Sequence, residues 1–299
     1  MKIVIAGGTG LIGRHLRAAC AAAGHESILL SRRERDARSQ PPTTALWDGT
    51  SPGPWQGALE GADAVVNLCG ESVAQGRWTA SRKKALVDSR IGPTRALVSA
   101  VSAAKRRPRV FVSASAVGYY GDRGDEPLDE GAKPGSDFLA GLCEAWEREA
   151  RLIEPLGVRV VCLRIGVVLA PDGGALAKML PIFRLGLGGR LGGGRQWMSW
   201  IAISDLTDLM LFALSHEITG PLNATAPNPV ANRDFTAALG RSLGRPALLP
   251  APGLALRLAL GEMAQLLLGG QKVLPRKALE SGFAFKHPQV DAALRAALR

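Results

Sequence analysis

A hydroxyl-rich stretch, SASAVGYYG, runs from Ser113 to Gly121 directly after the apolar run RVFV. Ser115 has a side chain that can polarise a carbonyl or hydroxyl group, and Tyr119 and Tyr120 carry phenols that can exchange a proton. These three residues are candidate catalytic residues because open α/β sheets place their sites where strands end. In the alternative interpretation, Ser113 and Ser115 hydrogen-bond the backbone and the tyrosines pack beside the turn at Gly121.

A glycine-rich stretch, GGTGLIG, lies between the apolar run KIVIA and an alanine-rich helical segment. Its glycines fit the spacing G-x-x-G-x-x-G, which permits a tight turn, close approach of a pyrophosphate to the backbone and close helix–strand packing. The following helix then directs its N-terminus at the phosphates, so the stretch predicts a dinucleotide site and not only a tight turn. The candidate cofactor-binding residues here are Gly7, Thr9, Gly10, Leu11, Ile12 and Gly13.

The end of the second predicted strand, ESILLSR, indicates which nucleotide is bound. An acidic residue at this position would bind the ribose hydroxyls of NAD, but the strand closes with Ser31, Arg32 and Arg33. Arginine has a planar, permanently charged guanidinium group that suits a 2′-phosphate. We therefore predict NADP as the cofactor. Alternatively the arginines are merely solvated, with Glu34 and Asp36 partly offsetting their charge.

Short β-branched runs alternate with helical segments through the first part of the chain. The runs KIVIAGG, ESILLSR, ADAVVNLCG, RVFVSAS and VRVVCLRIGVVLA predict strands. Such βαβ alternation predicts an α/β fold, a Rossmann-like doubly wound parallel sheet.

From about Pro171 the sequence becomes rich in glycine and then in proline, which predicts a smaller, mainly C-terminal lobe. We expect an NADP-binding domain at residues 1–170 with a return segment at 200–228. The smaller, substrate-side lobe is expected at residues 171–199 and 229–299.

The net charge of +11 raises the question of nucleic-acid binding. The densest basic run, Arg82 to Arg109, holds nine Lys or Arg residues against Asp88 alone, but only Trp78 lies nearby as a stacking aromatic. A solvated helix face that also attracts anionic ligands is favoured, and a nucleic-acid partner is not expected.

The remaining composition favours a protein of the cytoplasm. No apolar run reaches the eighteen or so residues of a membrane span, because Arg257 and Glu262 interrupt the best candidate, so we expect no membrane partner. The cysteines form no C-x-x-C pair and the histidines do not cluster, which predicts a reducing compartment and no metal site. The cysteines are Cys20, Cys69, Cys143 and Cys162.

The motifs GGTGLIG, AVVNLCGE and SASAVGYYG resemble those of the extended short-chain dehydrogenase/reductase superfamily. The ordered motifs RW, SR, GVVL, LGLGG, GGGRQWMSWIAISDL and GQKVLP resemble an atypical branch called the NAD(P)-dependent epimerase family, or epimerase-like oxidoreductases, over essentially the whole chain. The resemblance implies a Rossmann-like NADP domain in which Ser31 and Arg32 contact the cofactor. The further cofactor-binding residues expected are Leu68, Cys69, Gly70, Arg90, Ser113 and Val167.

The chain departs from the superfamily at its catalytic pair. Ser115 matches the superfamily's serine, but Phe138 occupies the tyrosine position and Leu142 the lysine position of Tyr-x-x-x-Lys. Ala202 stands where relatives commonly carry histidine. Phenylalanine cannot transfer a proton, so we hypothesise that Tyr119 or Tyr120 replaces the missing acid/base. Without a neighbouring lysine, its pKa is expected near the ordinary value of about 10.

Two functions are compatible with these residues. The first is an NADP-dependent oxidoreductase or epimerase-like enzyme that acts on an unidentified small carbonyl or hydroxyl compound. The alternative is a non-catalytic NADP-binding protein that regulates a protein partner through cofactor occupancy. The sequence leaves the oligomeric state open.

Overall fold

The computed structural model describes residues 1–33 and 44–298, so Glu34 and Asp36 lie outside the described residues. The strands are β1 Lys2–Ala6, β2 Glu26–Ser31, β3 Thr44–Leu46, β4 Ala64–Asn67, β5 Val110–Ala116, β6 Pro127–Leu128, β7 Arg159–Ile165, β8 Val167–Leu169, β9 Trp197–Met198, β10 Trp200–Ala202, β11 Gly220–Ala224, β12 Val230–Ala231 and β13 Lys272–Val273. The helices are α1 Leu11–Ala22, α2 Ala80–Ala103, α3 Phe138–Ala150, α4 Gly174–Arg184, α5 Ile203–Ser215, α6 Asn232–Leu243, α7 Gly253–Leu260, α8 Gln265–Leu268, α9 Arg276–Glu280 and α10 Val290–Ala297.

Seven strands form one parallel sheet in the order β3-β2-β1-β4-β5-β7-β11. The chain first adds strands outward from β1 and then returns to add β4 on the other side, which is the doubly wound arrangement. Side chains of β1, β4 and β5 are buried on both faces because helices cover both sides of the sheet. The predicted Rossmann-like fold is confirmed.

The apolar residues separate into layers around this sheet. Helices α1 and α5 cover one face, where Leu16 and Leu206 are fully buried, and α2 covers the other face with Leu97. A further core forms in the smaller C-terminal region, where Phe235 of α6 and Leu294 of α10 are buried with α4 and β10. The large sheet and this smaller core therefore frame the space between them.

The run VRVVCLRIGVVLA forms two strands, and not the single predicted one. The chain breaks at Gly166, after which β8 leaves the main sheet and pairs with β10. A Cβ atom at Gly166 would lie 2.3 Å from the carbonyl oxygen of Ser199, so only glycine lets these two backbones come so close. None of the helices in residues 1–33 and 44–298 is long and apolar enough to span a bilayer.

The close approach at Gly166 gives a test of the fold. Gly166→Ala should lower the free energy of unfolding by about 1–3 kcal/mol, because the methyl group would push two backbone segments apart. Gly141→Ala is the matched control: Gly141 lies in α3 with nothing within 4 Å of its Cβ position, so helix propensity should raise stability by up to about 1 kcal/mol. Urea unfolding of both variants measures the difference, and equal stabilities would contradict the argument.

Candidate active site

A cleft of about 1050 Å³ lies at the carboxyl edge of the main sheet. One wall comes from the ends of β4, β5 and β7, and the opposite wall from residues 257–271. Open parallel sheets bind ligands at this edge, beside the point where the strand order reverses. The sequence-predicted residues that line the cleft are Ile12, Leu68, Cys69, Gly70, Arg90, Ser115, Tyr120 and Val167.

The glycine-rich loop joins β1 to α1 with very little space around it. Gly7 has φ +77°, and a Cβ there would lie 2.7 Å from the carbonyl carbon of Leu68. A Cβ at Gly13 would lie 2.4 Å from the Cα of Gly8, so α1 can contact the loop only through glycine. Thr9 and Gly10 are exposed. The loop therefore fits a pyrophosphate held by backbone amides at the N-terminus of α1, where Leu11 is the first helical residue.

The end of β2 presents two exposed cations beside this loop. Arg32 and Arg33 are exposed, whereas Ser31 is buried and its hydroxyl accepts a hydrogen bond from the Arg33 amide at 3.1 Å. The charge of Arg32 reaches Cys69 at the end of β4: burial raises the pKa of Cys69 to about 12, and Arg32 opposes that rise. Arg32 thus provides positive charge close to the expected position of a ribose phosphate.

The loop after β4 is held in place by a buried amide. The side-chain amide of Asn67 donates to Thr94 at 2.8 Å, and its oxygen accepts from the Cys69 amide at 3.1 Å. Ser113 is also buried; it accepts from Asn67 at 3.5 Å and donates to the Ala114 carbonyl at 3.3 Å. Ser113 therefore hydrogen-bonds the backbone, as the alternative interpretation of the stretch SASAVGYYG predicted.

Arg90 is a cation built into the cleft wall. Its guanidinium group donates to the backbone oxygens of Leu86 at 3.0 Å and Glu71 at 2.9 Å, and it lies 5.2 Å from the centre of the Trp146 ring. Burial lowers the pKa of Arg90. A cation fixed beside Gly70, at the end of β4, can attract an anionic or polar part of a ligand.

Ser115 belongs to a buried charged network. It is 3% exposed, and its hydroxyl donates to Glu147 Oε1 at 2.7 Å. Arg164 of β7 binds the same carboxylate in a bidentate pair, with Nε to Oε1 and Nη2 to Oε2 both at 2.9 Å. This pairing removes most of the penalty for burying either charge, and it fixes the direction of the Ser115 hydroxyl.

The two tyrosines differ in their surroundings. Tyr120 is fully buried; its hydroxyl donates to Asn223 at 2.7 Å and accepts from Arg164 Nη1 at 3.0 Å. Tyr119 is partly exposed, and its ring lies 3.5 Å from the Arg164 guanidinium carbon. Burial raises the pKa of Tyr119 and raises that of Tyr120 to about 12, with Arg164 opposing both shifts. The expectation of an ordinary tyrosine pKa was wrong, because it neglected this burial.

The superfamily's tyrosine and lysine positions lie in an apolar cluster. Phe138, at the start of α3, packs edge-on against Trp78 with ring centres 5.6 Å apart. Leu142 is buried with Leu86 and with Met263 of the C-terminal region. Ala202 is buried, with 5% of its surface exposed. It belongs to the smaller C-terminal core and not to the network around Ser115. Neither position on α3 offers a proton.

Sequence reasoning missed Glu147, Arg164 and Asn223, which complete the network around Ser115. The sequence contained one signal: Arg164 interrupts the apolar run VRVVCLRIGVV. A charge inside a buried strand requires an opposite charge close by. Nothing in the sequence showed that Glu147 of α3 supplies it.

The fold and the cleft together define a Rossmann-like protein with a glycine-rich dinucleotide loop. The chain belongs to the NAD dependent epimerase/dehydratase family, which matches residues 3–224. Residues 251–297 match a domain of unknown function, DUF1731. The resemblance inferred from the sequence is confirmed.

Relatives cover nearly the whole chain. An epimerase family protein of Mycobacterium bovis is 45% identical over 98% of this chain and 96% of its own length. The crystal structure of the human epimerase family protein SDR39U1 with NADPH has a TM-score of 0.91 at 36% identity, covering 99% of both chains. A nucleoside-diphosphate sugar epimerase from Corynebacterium glutamicum is 37% identical with a TM-score of 0.80, covering 100% of this chain and 58% of its own.

The ion pair beneath Ser115 predicts a large and specific effect on stability. Glu147→Leu should lower the free energy of unfolding by about 3–5 kcal/mol, because Arg164 would stay buried without its carboxylate. Adding Arg164→Met should recover much of that loss. Glu149→Leu is the control. Glu149 lies on the same helix as Glu147 but pairs with the exposed Arg95 of α2, so its loss should change stability by less than about 1 kcal/mol. Equal losses in the two single variants by urea unfolding would refute the assignment.

Proposed function

We propose that the chain binds NADP(H) and acts as an oxidoreductase or epimerase-like enzyme on a small carbonyl or hydroxyl compound. NADP(H), when bound, supplies or accepts the hydride. The observation that carries the proposal is the cleft at the carboxyl edge of the sheet, which Ile12 of the glycine-rich stretch lines together with Ser115. Gly7, Gly10 and Gly13 would hold the pyrophosphate, and Arg32 the 2′-phosphate. The human relative crystallised with NADPH supports this choice of cofactor.

The cleft has room for more than a cofactor. Its volume of about 1050 Å³ lies just above the range of about 300–1000 Å³ for ligand pockets. Its second wall includes Ala264, Leu266 and Leu268, which are not part of the dinucleotide loop. We place the substrate between this wall and Ser115.

Ser115 would accept a hydrogen bond from the substrate. The Ser115 hydroxyl proton is donated to Glu147, so the oxygen lone pairs of Ser115 remain free to accept a hydrogen bond from a substrate hydroxyl. Glu147 is a positioning residue here, because its carboxylate is held by the bidentate contact with Arg164 while Oε1 accepts the Ser115 proton. This arrangement favours a substrate that presents a hydroxyl group at Ser115.

We propose Tyr119 for proton transfer, although Tyr120, and not Tyr119, lines the cleft. Tyr120 is fully buried, and its hydroxyl already donates to Asn223 and accepts from Arg164. Tyr119 is partly exposed and stacks on the same Arg164. As a base Tyr119 must lose its proton, and because burial raises its pKa, activity should rise toward alkaline pH.

A regulatory function is the second candidate, favoured by contacts between the cleft wall and the C-terminal region. Arg77 donates to the carbonyls of Leu258 at 2.6 Å and Ala259 at 2.9 Å, and Lys83 pairs with Glu262 at 2.6 Å. These contacts join the start of α2 to the segment that forms the second wall. Cofactor occupancy could therefore change the surface that a protein partner meets.

We place the protein in a reducing compartment such as the cytoplasm. All four cysteines are free thiols, and Cys20, Cys143 and Cys162 are buried. Burial raises the pKa of Cys20 and Cys143 to about 11, which keeps both thiols protonated and unreactive at neutral pH.

Cofactor choice can be measured directly. The protein should bind NADPH more than tenfold more tightly than NADH, a gap above about 1.4 kcal/mol, because Arg32 supplies charge for the 2′-phosphate. Arg32→Ala should remove most of the gap, whereas Arg107→Ala, at an exposed arginine four residues after the end of α2, should keep it. Calorimetric titration decides, and equal affinities in the unmutated protein would rule out the 2′-phosphate site.

The catalytic assignment predicts which variants lose turnover. In a substrate screen that monitors NADPH absorbance, Ser115→Ala and Tyr119→Phe should each lower kcat by about a hundredfold while NADPH affinity stays unchanged. Tyr119→Phe should also remove the alkaline rise in activity, and Tyr120→Phe should mainly lower stability. Full activity in Ser115→Ala and in the double tyrosine variant would move the chemistry elsewhere. NADPH binding without turnover of any compound, in a protein whose partner binding depends on NADPH, would favour the regulatory function.

A further inference from the structure

Six exposed leucines lie on neighbouring segments of the smaller C-terminal region, and none of them lines the cleft. Helix α7 has no buried residue although its sequence is GLALRLAL, and Leu254 and Leu258 are 72% and 71% exposed. Leu248 is 81% and Leu185 is 73% exposed. We call the surface formed by Leu185, Leu187, Leu248, Leu249, Leu254 and Leu258 the leucine face.

Backbone contacts bring the segments of the leucine face side by side. The Leu249 amide donates to the Gly188 carbonyl at 3.1 Å, and the Ala251 amide donates to the Arg190 carbonyl at 2.9 Å. Helix α7 begins two residues after Ala251, and a Cβ atom at Gly253 would lie 3.8 Å from the Cα of Gly192, so the start of α7 lies beside the same segment. Leucines that are distant in sequence therefore form one exposed apolar surface, which soluble proteins normally keep small.

Four arginines are interleaved with these leucines and lack acidic partners. Residues 173–204 and 235–261 carry four and three basic residues respectively and no acidic one, although one of them, Arg241, pairs with Asp291 of α10. Within the part of the chain that the structure describes, the exposed arginines of this surface form no ion pair. They are Arg184, Arg190, Arg245 and Arg257.

We propose that the leucine face docks the protein on the surface of an anionic lipid bilayer. Leucines enter the boundary between headgroups and acyl chains, while arginines bind the headgroup phosphates. An anionic bilayer therefore offers favourable contacts to both the leucines and the arginines of the leucine face. A second copy of the chain fits poorly, because a twofold contact would bring unpaired arginines against arginines. The expectation of no membrane partner considered only spanning segments, and peripheral docking needs none.

Docking would also place the cleft beside the bilayer. Arg257 of α7 lines the cleft as well as bordering the leucine face. The following residues, 261–271, form much of the second wall. The docking proposal does not depend on the proposed enzyme activity, since NADPH binding and vesicle binding are measured separately.

The test is co-sedimentation of the full chain with lipid vesicles. We expect binding to phosphatidylcholine vesicles that contain phosphatidylglycerol, about tenfold weaker binding to phosphatidylcholine alone, and weakening of the anionic interaction as salt increases. Leu254→Glu with Leu258→Glu should lower the bound fraction about tenfold or more. These residues are exposed, so the variant should fold and bind NADPH normally.

Matched controls separate the leucine face from general hydrophobicity and charge. Leu152→Glu with Leu279→Glu makes the same change at leucines that are 58% and 48% exposed elsewhere, and it should leave vesicle binding unchanged. Arg184→Gln with Arg190→Gln should weaken binding severalfold, whereas Arg107→Gln with Arg148→Gln, at exposed sites away from the leucine face, should not.

Three outcomes would overturn the proposal. The first is absence of binding to anionic vesicles, and the second is an equal loss of binding in the leucine-face and control variants. The third is that the chain binds no vesicles but self-associates in analytical ultracentrifugation, and that the Leu254→Glu and Leu258→Glu variant abolishes this self-association. The last result would assign the surface to contact between copies, and binding of an acidic protein without vesicle binding would assign it to a protein partner.

Discussion

The buried ion pair between Arg164 and Glu147 links the parts of the cleft. Arg164 belongs to β7, the strand beside the edge strand β11, and Glu147 to the helix α3. Because both charges are away from water, each needs the other in a fixed geometry, and that geometry also fixes Ser115 and Tyr120. Asn223 extends the network to the edge strand β11, so β5, β7, β11 and α3 meet at one polar centre.

This centre gives a physical account of a site that lacks the superfamily's tyrosine and lysine. In the usual arrangement a lysine adjusts a tyrosine beside the cofactor, whereas here Phe138 and Leu142 occupy those places and pack against the C-terminal region. The charge that would have come from lysine is present instead as Arg164, beneath both tyrosines. The polar groups around Ser115 thus come from β5, the turn after it and β7, while α3 contributes the carboxylate that orients them.

The sequence was most informative where local chemistry alone determines structure. The glycine spacing predicted the loop, because a side chain at Gly7 or Gly13 would collide with backbone. The β-branched runs predicted the parallel sheet. The partner of Ser115 was not predictable, since Glu147 is 32 residues away and looks like any polar helix residue. The break at Gly166 was missed for the same reason: its cause is the carbonyl of Ser199, which belongs to a distant segment.

The second wall of the cleft is made from the last part of the chain. Strand β13 pairs with β6, Ser199 donates to the Gln271 carbonyl at 2.6 Å, and Met263 covers Leu142. On the ribosome the Rossmann half can therefore assemble early, while the apolar surface of α3 stays uncovered until about 120 further residues have been made. Closing such long loops is slow compared with local folding. The half-finished chain would thus expose this surface while its cofactor loop is already formed.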